Sequence, residues 1–121
     1  MTARVAYVHE AHLVMGAGAD LAAPGGAVTA ALCGTFAHPP PCPLAPHHTS
    51  TVLTGDGLAV RVLFAVEPAA EGEVRTRVDR ALAAGFCDGP DGRRSRWTLR
   101  RSEPGVIAAG EREHGARLIG D

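Results

Sequence analysis

Lysine, asparagine and glutamine are absent from this 121-residue chain, and all 12 basic residues are arginine. We read that bias as the signature of a GC-rich coding sequence, not as chemistry. Aromatic residues make up only 4%. The core must therefore be built from Val, Leu and Ala, and the expectation is a thin one, a single sheet covered by helices. No run approaches the roughly 18 consecutive apolar residues that cross a bilayer, so no membrane role is expected. Charge of one sign is also missing. The net charge of −1 removes the general electrostatic argument for nucleic acid or an anionic surface. The N-terminal stretch "MTARVAYVHEAHLVMG" lacks a clean basic region and a small-residue cleavage site, and the expected location is the cytoplasm. Cysteine is scarce: three is an odd number and argues against a disulfide framework. In a reducing compartment, neighbouring Cys and His more often signal metal or catalysis.

The chain length gives one domain, residues 1–121. Residues 4–15 alternate as a strand, with Val5, Tyr7, Ala11, Leu13 and Met15 on one side and Val8, Glu10, His12 and Val14 on the other. Glycine-rich turns follow. The run 27–33, "AVTAALC", fits two elements. Val28, Ala30 and Leu32 alternate as in a strand, while Pro24 upstream and the alanines suit a helix; the strand is the reading adopted. "STVLTGDGLAVRVLFAV" reads as a hairpin turning at the Gly-Asp-Gly signal. Pro68 to Gly85 reads as a helix with Val74, Val78, Ala81 and Leu82 on its apolar stripe and Glu71–Arg75 and Glu73–Arg77 as i, i+4 pairs. "CDGPDGRR" reads as a turn, and "SRWTLRR" as a strand with Trp97 and Leu99 inward. A last helix is expected to open at Ser102 and Pro104, with Ile107, Gly110, His114 and Leu118 on one stripe. The order is β-β-loop-β-β-α-β-α. It implies an α+β two-layer sandwich, a mostly antiparallel sheet of four to five strands with two helices on one face. An open face or sheet edge invites a homodimer or a protein partner.

The chemistry is concentrated in the segment 33–50, which holds two of the three cysteines, three of the six histidines and five of the nine prolines. Cys33, His38, Cys42, His47 and His48 follow the spacing C-x4-H-x3-C-x4-H-H. A tetrahedral zinc ion takes four such ligands, and gaps of a few residues let one loop wrap the ion. Copper or nickel suits the same donors in another geometry. Pro39, Pro40, Pro41, Pro43 and Pro46 restrict the apo chain and so remove part of the ordering cost before metal arrives. The spacing interleaves sulfur and nitrogen and matches no standard finger. Two non-metal readings stay open: a stiff unligated loop, and a Cys33–Cys42 disulfide. If four residues bind, the site is closed and structural. If three bind, an open position would permit hydrolase or lyase chemistry, with His12, Glu10 or His48 as proton carriers. A third reading is a metal-free dimeric domain that binds a small molecule between sheet and helices.

Three other features have ordinary explanations. His114 lies on an apolar helical stripe, as a satisfied interior histidine would. Cys87 follows a helix C-terminus, where the dipole disfavours a thiolate. Arg96 and Arg100 project from a strand whose Trp97 turns the other way, which fits a solvated face better than a nucleic-acid surface.

Overall fold

The computed structural model describes residues 3–33 and 45–120, with Cys33 described by its backbone only. The elements are β1 (Val5–Met15), α1 (Ala23–Cys33), β2 (His47–Thr54), β3 (Gly57–Val66), α2 (Glu71–Ala84), β4 (Phe86–Asp88), β5 (Arg94–Gly105) and α3 (Arg112–Gly120). Short 3-10 turns, Pro68–Ala70 and Ala109–Glu111, lead into α2 and α3. The five strands form one antiparallel sheet in the order β2-β3-β1-β5-β4. Setting aside β4 and α3, the connectivity is β-α-β-β-α-β, in which two β-α-β units interlock. The α+β class expected from the sequence is thus what forms.

The strand reading of 27–33 is corrected: this run is the second half of α1. The buried positions are Pro24, Val28 and Leu32, spaced by four, and they face the sheet as a helix stripe. Asp20 starts the turn. Its carboxylate accepts the Ala22 N–H at 2.9 Å and its carbonyl accepts the Ala23 N–H at 3.0 Å. The Val28–Ala30–Leu32 alternation that suggests a strand arises because two of the three lie on that stripe.

β3 is an interior strand and runs between β1, the central strand, and β2, the edge. Val60, Val62, Phe64 and Val66 face α1 and α2, while Leu63 and Ala65 face the other way, toward Leu118 of α3. The core on the α1/α2 side adds Leu13, Val74, Val78, Leu82 and Trp97, all nearly or fully buried. Each such side chain contributes about 1.5–3 kcal/mol through burial. α2 forms as its sequence implies. Arg75 Nε donates to Glu71 at 2.8 Å and Arg77 to Glu73 at 3.0 Å. Gly85 ends the helix in the left-handed region (φ 77°). There the backbone continues directly into pairing with β5: Trp97 N–H donates to Gly85 O at 2.9 Å, and Trp97 Nε1 donates to Leu82 O at 2.8 Å.

Three further expectations are revised. The turn at "CDGPDGRR" contains a short strand, β4, whose Phe86 and Asp88 pair with Arg96 and Arg94. Ser102 and Pro104 do not open a helix. β1 is long enough to keep pairing β5, so Ser102 lies opposite Ala11 and Pro104 opposite His9. The last helix starts at Arg112 instead. Finally, the two helices expected on one face lie on opposite ones: α2 packs with α1, whereas α3 packs on the reverse of the sheet through Gly115 and Leu118. Three helices form where two are expected: α1 and α2 share one face, and α3 lies alone on the other.

Candidate functional site

The expected ligands fall into two groups. His38, Cys42 and the side chain of Cys33 lie outside the described residues. His47 and His48 begin β2, and strand alternation sends them to opposite faces of the sheet. His47 lies opposite Phe64 and turns toward α1; His48 lies opposite Leu63 and turns toward α3. A single cation can therefore take one of the pair and not both.

His47 is held in a defined orientation. Ala45 and Pro46 before it are buried, and Pro46 O accepts the Ala65 N–H at 3.1 Å, which brings residue 46 into register with β3. The His47 Nδ1 lies 3.2 Å from Ala45 O. A carbonyl only accepts, so Nδ1 carries the proton and donates. Nε2 then holds the lone pair and accepts the Thr29 Oγ1–H at 3.1 Å. Burial lowers the His47 pKa, an effect that the Ala45 hydrogen bond opposes and nearby His48 reinforces. The outcome is a neutral imidazole whose Nε2 lone pair points at α1. Thr29 lies one helical turn before Cys33, so the backbone of Cys33 shares its side of α1. An Nδ1–H anchored on a backbone carbonyl is the usual outer support of a metal-ligating histidine. Nearby, Thr49 Oγ1 is buried without a hydrogen-bond partner among the described residues.

The three candidate proton carriers all lie on the reverse face. Glu10 is engaged by Arg61, which also donates to Glu111 Oε1 at 2.6 Å, to Glu111 Oε2 at 3.1 Å and to Val106 O at 2.9 Å. This network ties the 106–111 connection to β1 and β3. Arg61 holds the Glu111 carboxyl below its usual range. His12 Nε2 lies 3.3 Å from Thr54 Oγ1 and 3.4 Å from Asp56 Oδ1, in a hollow of about 590 Å³ that Arg100 and Arg101 also line. A bulge between His12 and Leu13 leaves Arg100 without an opposite residue on β1. His48 packs against His114, with ring centroids 4.5 Å apart and the ring planes tilted by 46°. That contact between β2 and α3 is how His114 is accommodated.

His9 is the buried titratable group that the sequence reading missed. It is 5% exposed and sits on the α1/α2 side. Arg75 donates to its Nδ1 at 3.1 Å, so its Nε2 bears the proton and donates to Ser102 Oγ at 2.7 Å. That tautomer makes Ser102 an acceptor and leaves it without a base. The Ser-His pair is therefore structural. Arg75 also donates to Val8 O at 2.9 Å and lies over the Phe64 and Tyr7 rings at 5.3 and 5.7 Å. Alternation along β1 puts His9 on the core side with Tyr7 and Ala11, and that was the available signal. Cys87 is half-buried in β4; burial and Asp88 both push its thiol pKa up, which disfavours a nucleophilic thiolate. It lines a groove of about 860 Å³ between the start of α1 and the β4–β5 turn, together with Asp20, Asp88, Asp91, Arg93 and Ser95.

Among the described residues, no group of three or more His, Cys, Asp or Glu side chains is arranged to hold a metal ion, and no helix is long and apolar enough to cross a membrane. No family model, curated protein or solved structure matches this chain.

Proposed function

We propose that this protein is a small metal-binding module whose zinc ion is held by Cys33, His38, Cys42 and His47, and that it acts as an accessory or binding domain of the cytoplasm. The observation that carries this reading is the state of His47: Nδ1–H is fixed on Ala45 O, and the Nε2 lone pair, which accepts the Thr29 hydroxyl in the metal-free chain, is aimed at the turn of α1 that ends in Cys33, so that zinc would replace the Thr29 hydrogen bond. Two thiolates and two imidazoles complete a tetrahedral sphere of the kind zinc prefers; copper or nickel would require a different geometry from the same donors. The closed, structural form is favoured over an open hydrolase or lyase site. Glu10, His12 and His48 project from the reverse face, and the sheet separates them from a cation beside His47.

The test is zinc affinity by competition with a chromophoric chelator. Replacing Cys33, Cys42 or His47 by Ser, Ser or Ala, one at a time, is expected to weaken binding by about 100-fold or more, because a tetrahedral site loses a bond. His48→Ala should stay within about twofold of the parent. Equal losses from His47→Ala and His48→Ala would refute the assignment.

A second reading, binding of a small molecule, is favoured by the groove beside Cys87. Its mixed lining of glycine, alanine, three aspartates and Arg93 suits a ligand with one cationic group. Protection of the Cys87 thiol from alkylation by such a ligand would support that reading, and unchanged alkylation would oppose it.

A further inference from the structure

The two edges of the sheet are built differently. β4 has three residues, and its neighbour Arg94 forms a paired contact with Asp88 at 2.7 and 3.0 Å and covers the Phe86 ring at 4.2 Å. A short, charged edge of this kind resists pairing with another chain. β2 is the opposite edge and has none of these protections. Its eight residues, His47–Thr54, include no Asp, Glu, Arg or Pro, and Thr49, Thr51, Val52 and Thr54 are β-branched. Val52 and Leu53 are 65% and 64% exposed.

The hydrogen-bond phase of β2 identifies its outward groups. Ala65 N–H donates to Pro46 O, so residues 46 and 65 form a bonded pair. Alternation along an antiparallel ladder then assigns His48, Ser50, Val52 and Thr54 to bonding with β3. Thr49, Thr51 and Leu53 turn their N–H and C=O groups away from β3. Among the described residues nothing else takes up those groups.

We propose that β2 pairs antiparallel with β2 of a second copy of this chain, about a two-fold axis at Thr51, so that the two sheets become one. In this register Thr51 opposes Thr51, Thr49 opposes Leu53 and Ser50 opposes Val52. Directly opposed outward residues exchange both backbone bonds. Thr–Thr pairs across strands are stabilising, and the exposed Val52 and Leu53 of each copy gain Ser50 and Thr49 of the other as cross-strand neighbours. The occupant is a second copy because an uncharged strand meets its own image without like-charge opposition. It offers no charge with which a basic or acidic foreign strand could register. The inference is independent of the metal assignment, since it uses neither the cysteines nor the His47 ring.

Sedimentation or light scattering on the full chain, at about 100 μM, is expected to give twice the 12.5 kDa monomer mass. Thr51→Pro removes an outward N–H and keeps the pairing with β3, so it should give a folded monomer with an unchanged circular dichroism spectrum. Thr51→Glu and Thr51→Arg each oppose like charges at the axis and should weaken the dimer by about 100-fold. An equimolar mixture of the two should recover it as a heterodimer. A wild-type monomer at that concentration would overturn the proposal. So would a dimer that survives in a folded Thr51→Pro, or a charge pair that fails to recover on mixing.

Discussion

At the scale of single residues, the most consequential group is His9, buried with its proton position fixed by Arg75 and Ser102. Burial lowers its pKa from the usual 6.5; Arg75 adds to this, while Asp79, Glu10 and Glu103 oppose it. A histidine that stays neutral when folded and protonates when unfolded makes the unfolded chain the better proton binder. Stability should then rise with pH through this window, and be lost as pH falls from 6.5 toward the folded pKa. Denaturant unfolding between about pH 7.5 and 5 should show that slope, and His9→Gln should reduce it. An unchanged slope would show that His9 is solvated and ionises freely. Ser102→Ala should cost about 1–3 kcal/mol, because it strands a buried ring N–H. Strand alternation places this ring on the core side of β1, but nothing in the sequence reveals Arg75, 66 positions away, as its partner.

At the scale of elements, legibility followed the clarity of periodicity. α2 was legible because Val74, Val78 and Leu82 recur at helical spacing between Pro68 and Gly85. β3 was legible because four apolar residues alternate on one face. α1 was not. It carries no charge along its length, so no polar face marks its period, and Ala, Gly and Thr contribute little pattern. The end of β5 was missed because Pro104 resembles a helix opener, although the partner strand supplies the pairing that overrides it. Two substitutions test the element junctions. Gly57 has φ 154°, and a Cβ there would lie 2.1 Å from Leu13 O, so Gly57→Ala should force β3 from β1 and cost about 2–4 kcal/mol, measured by urea midpoint. Leu82→Ala removes a fully buried side chain at the α2–β5 contact and should cost about 2–5 kcal/mol. Values below 0.5 kcal/mol at either position, or about that, would mean the packing differs from that described.

At the scale of the whole molecule, the sheet separates two environments. On one side α1 and α2 bury the larger core, and Thr29 of α1 with Ala45 O orients His47; on the other, α3 is held by Leu118 and the His48–His114 contact, and the turn leading into it by the Arg61–Glu111 pair. The candidate site was legible only as a density of donors. Spacing alone did not distinguish His47 from His48, since which neighbour faces α1 depends on the strand phase of β2 and not on its distance from Cys42. The metal remains the claim on which the functional account stands. Elemental analysis of the full chain, purified without chelator, measures it most directly. The account predicts about one zinc per chain, with the Cys33 and Cys42 thiols shielded from alkylation until the metal is removed. Metal-free protein in which both thiols react at once, and which takes up no added zinc, would contradict it.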